Sequence, residues 1–282
     1  YGRRHLYAIL TGYELWNEIL KLKDTHYLLP GKSSVEKAKY WRLLACAYIN
    51  TDNTEEGKAL LKKMESLLNS QREGKIKAGT NAEAKAKKEK KKPGDIKKAK
   101  SSAERPYSTA ISTLERGLAE AGMYLALKSK NLEEAKAHYQ KVRDLRSERK
   151  ALLQLEFGNQ DEAIKLAESA VKSATEQARP LAAQAYILHR INKHEEAKNA
   201  LNHLRRIAPE LDMDIQWFSR LSPLAQSLNL PKDWRQKQPA AKDMGLRPKL
   251  DDLGPFRWSP FPAPDWTLTD RNGQSFSLKS HQ

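Results

Sequence analysis

Few side chains in this sequence are placed for covalent or metal chemistry. Cys46 is the only cysteine, so the chain can form neither an internal disulfide nor a Cys-x-x-Cys redox pair. It lies in the apolar run 43–48 at helix-packing spacing, which indicates a buried thiol of low reactivity. His189 and His194 are five residues apart, whereas a helical metal site uses histidines four apart. We therefore predict no catalytic residue, no metal site and no cofactor in this chain.

Clustered cations are the second chemical feature. Segment 71–106 holds thirteen Lys or Arg against five acids, a net +8 that is half of the chain's +16. It has no apolar stripe and contains Pro93-Gly94, so we predict a solvated linker or a lone fraying helix. Clustered lysines favour binding to phosphates, so a polyanion-binding or nucleic-acid-binding adaptor is the alternative function. The run has no interleaved aromatic residue to stack on bases, which makes nucleic acid the less favoured partner.

The sequence pattern predicts that helices position the remaining side chains. Trp41-x2-Leu44-Ala45-x2-Tyr48 resembles the signature of the tetratricopeptide repeat, and Ala163 and Ala197 are separated by that family's period of 34 residues. Small residues twelve apart would let two antiparallel helices approach closely. The resemblance implies four helix pairs and a partial N-terminal one, in segments 1–70 and 107–222. The predicted fold class is all-α, a right-handed αα-superhelix.

An array of this kind usually binds a protein or peptide on the concave face made by the first helix of each pair. The matched spacing places six candidate residues on that face: Lys39, Arg42, Glu148, Arg179, Tyr186 and His189. Cys46, Leu152 and Tyr186 stand where carboxylate-gripping members of the family carry Asn, so a C-terminal carboxylate ligand is not expected. A purely structural or intramolecular role for the face is left open.

The C-terminal part changes character. Segment 223–262 is rich in proline and aromatic residues, which predicts an extended tether rather than a long helix. In segment 263–282, alternating apolar residues flank Asn272-Gly273, which predicts a β-hairpin. Ala263-Pro264-Asp265-Trp266-x-Leu268-x-Asp270-x2-Gly273 resembles the opening of thioredoxin-like redoxins of the alkyl hydroperoxide reductase and thiol-specific antioxidant group. The resemblance implies the first hairpin of a redoxin domain whose catalytic cysteine would lie beyond Gln282.

The preferred hypothesis from sequence is a protein-interaction scaffold attached to a redoxin domain, inactive as an enzyme by itself. Its partner would be a protein or peptide on the concave face, or the downstream redoxin domain. No apolar run approaches the length needed to span a bilayer. The chain begins at Tyr1 without a signal-like segment, so we expect a piece of a longer protein and assign no compartment.

Overall fold

Helices account for most of the residues described by the computed structural model, which are 2–143, 145–174, 176–236, 267–269 and 272–277. This confirms the prediction of a mainly helical chain. The helices are α1 (Gly2–Gly12), α2 (Trp16–Leu22), α3 (Ser34–Asn50), α4 (Thr54–Lys88), α5 (Pro93–Lys128), α6 (Leu132–Tyr139), α7 (Ser147–Glu156), α8 (Gln160–Ser173), α9 (Ala178–Arg190), α10 (His194–Ile207), α11 (Gln216–Ser219) and α12 (Ser222–Ser227).

One turn geometry recurs between α3 and α4, α5 and α6, α7 and α8, and α9 and α10. In each turn one residue adopts positive φ, and the next residue donates its backbone N–H to the carbonyl five positions earlier. This is the Schellman pattern, which satisfies the last carbonyls of the first helix. The positive-φ residues are Asp52, Lys130, Gly158 and Asn192. Acidic residues then occupy the first turn of each second helix, where they complement its N-terminal dipole.

Small side chains lie where paired helices meet. Ala151 and Ala163, like Ala185 and Ala197, have no exposed surface, and α7 packs on α8 as α9 packs on α10. At Gly57 of α4, an added Cβ would lie 2.6 Å from Cγ1 of Ile49. Close approach of this kind leaves no room for a larger side chain, so these positions set the spacing between helices.

The Lys-rich segment differs from its expected state as a linker or lone helix. Residues 71–106 form the end of α4 and the start of α5, two long helices that pack against each other. Their contact uses small residues: an added Cβ at Gly74 would lie 2.7 Å from the Tyr107 ring, and one at Gly79 would lie 2.4 Å from the Glu104 carboxylate. The absence of a large apolar stripe concealed this pairing. We call residues 71–106 the Lys-rich arm.

The first part of the expected tether is also packed rather than extended. Residues 222–227 form α12, and Trp234 is 1% exposed in the same apolar cluster as Trp217 and Leu204. Arg235 fixes the segment by donating from Nη1 to the Leu211 carbonyl at 2.8 Å. An aromatic residue of the segment thus docks on the chain's own helices. The remainder of the expected tether, 237–262, lies outside the described residues.

Residues 238–282 form a separate unit. Within it, β1 (Thr267–Thr269) pairs antiparallel with β2 (Ser275–Ser277), with Leu268 opposite Phe276. Gly273 has φ +82° in the connection, a conformation that glycine adopts without strain. Leu268 is 64% exposed, so this pair of strands leaves apolar surface uncovered. Trp266, Asp270 and Leu278 of the predicted hairpin lie outside the described residues.

Candidate functional site

The connection between α1 and α2 inserts a carboxylate among arginines from distant helices. Glu14 is 6% exposed and accepts hydrogen bonds from Arg149 of α7 and, at 3.1 Å, from Nη2 of Arg220. Glu14 has φ +56°, a left-handed conformation that is unfavourable for a residue with a side chain. Persistent strain of this kind requires surrounding contacts that hold the residue in place, and the two arginines supply them.

A second arginine contact holds the backbone of the same connection. Arg179, 8% exposed on α9, donates from Nη1 to the Gly12 carbonyl at 2.7 Å, and its guanidinium lies 4.7 Å from the centre of the Tyr13 ring. Nη2 of Arg179 also lies 3.7 Å from the buried carboxylate of Glu148. We call the residues Gly12, Tyr13, Glu14, Glu148, Arg149, Arg179 and Arg220 the Glu14 cluster.

Burial and charge act in opposite directions on the pKa values of the cluster. Burial is the largest single influence on Arg149 and lowers its pKa, but Glu14, Tyr124 and Glu120 together outweigh it, so that the pKa is raised. At Arg220 burial dominates over the same attraction, and the pKa is lowered. Burial and the neighbouring Arg146 likewise lower the pKa of Arg179. Two of the three guanidiniums are therefore charged at a cost, which the neighbouring carboxylates of Glu14 and Glu148 offset only in part.

Aromatic rings border the cluster. The Arg149 guanidinium lies 5.2 Å from the Tyr124 ring, and that of Arg220 lies 5.0 Å from Trp217 and 5.5 Å from Tyr186. Cations at these distances over ring faces are attracted by the ring quadrupole. The result is a surface that offers guanidinium donors and ring faces together, which suits carboxylates, backbone carbonyls and aromatic side chains of a polypeptide.

A cavity of about 430 Å³ lies beside the cluster, between α1 and α3. Arg42 of α3 and Glu120 of α5 form an ion pair in its wall, and Lys39 is exposed on its border. Cys46 lines it with 3% exposure, and burial raises the pKa of that thiol well above its ordinary value. A protonated, buried thiol is a poor nucleophile. We call this space the α1 cavity.

The six predicted site residues thus fall into separate places. Glu148 and Arg179 meet in the Glu14 cluster, while Lys39 and Arg42 line the α1 cavity. Tyr186 borders the cluster through Arg220 and accepts a hydrogen bond from Arg190 at 2.6 Å. His189 is half-buried with its ring 6.1 Å from that of His194, and burial lowers its pKa.

Helical spacing did not single out Tyr13, Glu14, Glu120, Arg149 or Arg220, which make the buried ion pairs and ring contacts of this region. A usable signal was present at Glu14. It is the only acid among the first seventeen residues, whose basic residues are Arg3, Arg4 and His5. Most of the residues between His5 and Asn17 are apolar or aromatic. An isolated charge in such a stretch commonly has a buried partner. Which arginines provide it depends on the tertiary fold.

Within the part of the chain that the structure describes, no group of three or more His, Cys, Asp or Glu side chains is arranged to hold a metal ion. Among those same residues, no helix is both long and apolar enough to cross a bilayer. Comparison with known proteins gave no matching protein-family model, no matching curated protein and no matching solved structure. The functional argument therefore depends on the geometry of the chain itself.

Proposed function

We propose that this chain is a tetratricopeptide-type scaffold for protein interaction, built as a right-handed superhelix of helix pairs. The observation that carries the proposal is the Glu14 cluster. Arginines from three different parts of the chain converge on one short segment and bind its carbonyl, its ring and its carboxylate. These are the contacts through which a groove binds an extended peptide. The N-terminal segment occupies this face in cis.

A peptide-exchange experiment tests the scaffold function. The variant Tyr13→Ala/Glu14→Ala removes the bound side chains and frees the arginines. We expect it to bind a labelled peptide with the sequence of residues 8–18, measured by fluorescence anisotropy, while the unchanged chain does not. Adding Arg179→Glu to the variant should abolish binding.

The matched control is the same peptide with Gln in place of Glu14. It should bind at least tenfold more weakly, because a charge-assisted hydrogen bond contributes about 1.5–3 kcal/mol. Circular dichroism checks that each variant is folded. Equal binding of the two peptides, or no binding by a folded variant, would refute the proposal.

We further propose that the paired strands β1 and β2 begin a thioredoxin-like redoxin domain, which the helical scaffold positions. The support is the sequence pattern around Leu268 together with the uncovered apolar surface of that residue, since a two-stranded pair is marginal without further strands. The test is to determine the gene sequence that follows the codon for Gln282. A hydrophobic strand followed by a cysteine-containing loop and a helix is expected, and any other pattern would refute the redoxin assignment.

A second candidate function, a polyanion-binding adaptor, is favoured by the Lys-rich arm. Its two helices carry most of the lysines, and Lys90, Lys91 and Lys92 lie in the turn between them. Lys87 and Lys100 bind Glu83, and their hydrogen bonds lower the pKa of this carboxyl to about 2. Of the eleven lysines between 75 and 100, only Lys87, Lys91 and Lys100 lie within 4 Å of an acid. The other eight are available for phosphates: Lys75, Lys77, Lys85, Lys88, Lys90, Lys92, Lys97 and Lys98.

The salt dependence of binding to duplex DNA tests this second candidate. Neutralising Lys85, Lys88, Lys90 and Lys92 to Gln should reduce the slope of log affinity against log salt by roughly 0.9 for each lost phosphate contact. The control neutralises Lys58, Lys62 and Lys63, which lie on α4 outside the arm. An unchanged slope in the arm variant would remove this candidate.

A further inference from the structure

The α1 cavity has the size of a small-molecule site. Its volume of about 430 Å³ falls within the range of roughly 300–1,000 Å³ that is typical of ligand pockets. It is lined by residues of α1, of α3 and of the segment that joins α2 to α3, together with Trp16 of α2 and Glu120 of α5. None of these residues belongs to the Glu14 cluster.

The inner lining of the cavity is apolar. Trp16, Leu43 and Cys46 line it and are 7%, 3% and 3% exposed. Ala8 and Pro30 add further apolar surface. The Tyr7 hydroxyl donates to the Leu28 carbonyl at 3.1 Å and so is already engaged. A hydrocarbon or aromatic group would displace water from this lining without leaving a polar group unpaired.

Charge around the cavity is unevenly compensated. The carboxylate of Glu36 accepts hydrogen bonds from the side chain and backbone of Ser33, and Glu120 is paired with Arg42. Against these two acids the lining holds four cations, Arg3, Arg4, Lys39 and Arg42, and Arg3 and Lys39 also act electrostatically on Glu36. Arg4 and Lys39 are exposed and form no hydrogen bond and no ion pair with any described residue. The charge that remains for a ligand is cationic.

We propose that the α1 cavity binds a small organic carboxylate with an apolar body, such as a medium-chain fatty acid. The carboxylate is held by Arg4 and Lys39 where the cavity meets solvent, and the apolar body lies against Trp16 and Leu43. Each half of the lining alone is common on protein surfaces. Their combination in one cavity selects a molecule that carries both groups. This assignment does not depend on the scaffold function.

Calorimetric titration of the full chain with octanoate tests the assignment. We expect saturable binding with one octanoate per chain. Acetate, which lacks the apolar body, and octanamide, which lacks the charge, should each bind about tenfold more weakly or not at all, because each loses one half of the contact. Equal affinity for octanoate and octanamide would overturn the role of the two cations.

Three variants locate the site. Arg4→Glu and Lys39→Glu should each weaken octanoate binding by about tenfold or more, since each replaces an attractive charge by a repulsive one. Ala8→Trp fills the cavity from an exposed position of α1 and should abolish binding without disturbing the core. Lys37→Glu is the matched control, because Lys37 is an exposed residue of α3 that does not line the cavity.

The outcomes separate clearly. Loss of binding in the three cavity variants, with unchanged binding in Lys37→Glu, supports the assignment. Absence of saturable binding, or an equal loss in Lys39→Glu and Lys37→Glu, overturns it. The peptide-exchange experiment uses the Glu14 cluster and none of these variants, so failure of one proposal is distinguishable from failure of the other.

Discussion

Removing the charge of Glu14 should destabilise the helical unit more than removing any exposed acid. Glu14→Gln keeps the size of the side chain but abolishes its charge. The carboxylate is now shared by Arg149 and Arg220, whose side chains are 18% and 15% exposed. After the change, both guanidiniums would remain largely buried without a counter-charge from this residue.

The magnitude follows from that burial. Removing one partner of a buried ion pair costs about 3–5 kcal/mol, because the remaining charge loses both its partner and its hydration. The two arginines retain some contact with water, so we expect the low end, about 3 kcal/mol. This is a large share of the stability of a typical domain, which is about 5–15 kcal/mol.

Urea unfolding followed by circular dichroism measures the effect. The matched control is Glu18→Gln, a nearby exposed acid paired with Lys21, where we expect a change of about 0–1 kcal/mol. The two variants carry the same chemical change and differ mainly in burial. A loss below about 1 kcal/mol for Glu14→Gln, or an equal loss in both variants, would show that Glu14 does not hold the helices together.

Three further predictions follow from buried groups. Gly117→Ala should cost about 1–3 kcal/mol of unfolding free energy, because its Cβ would lie 3.1 Å from Arg42 Cβ and would displace the end of the Met64 side chain, which is fully buried. Gly94→Ala, whose Cβ would meet nothing within 4 Å, is the control, and an equal change in unfolding free energy in the two variants would contradict the packing argument. Alkylation of Cys46 by iodoacetamide at pH 8 should be much slower in the folded chain than in urea, since burial raises the pKa of this thiol; similar rates would contradict its burial. Burial also lowers the pKa of His189, so its contribution to stability should be present at neutral pH and decline as the pH falls below about 6.5. In the variant His189→Gln, the midpoint of unfolding should depend less on pH over this range. An unchanged pH dependence would refute the assignment.

Local pattern predicted much of the fold. The acidic first turns after Asn53, Asn131 and Asn159 mark helix starts, and the structure begins α4, α6 and α8 immediately after these residues. The asparagine and the acidic first turn that follows it act within a few residues along the chain, so they predict a helix start without tertiary information. The helical state of the Lys-rich arm was not predicted, because its contact uses Gly74 and Gly79 instead of large apolar residues.

The six residues that were assigned to one face lie in more than one place in the structure. Glu148 and Arg179 were assigned to one face, and they do lie 3.7 Å apart. A structural or intramolecular role for that face was left open beside a protein or peptide partner, and Arg179 is bound to the chain's own Gly12 carbonyl. His189 was assigned to the same face by helical spacing, and its ring lies 6.1 Å from that of His194. Helical spacing gives the side of its own helix on which a residue lies. It contains no information about which other segment packs against that side.

The amino-acid sequence by itself determined the helical class, the turns within each pair and the small residues at the helix contacts, because these depend on neighbours within a few turns of helix. Only the tertiary structure decided the Glu14 cluster. Glu14 is 135 residues from Arg149 and 206 from Arg220, and no local preference couples residues at such separations. The packing of the helices brings them together, because it leaves buried guanidiniums that require a carboxylate. The connection between α1 and α2 provides that carboxylate.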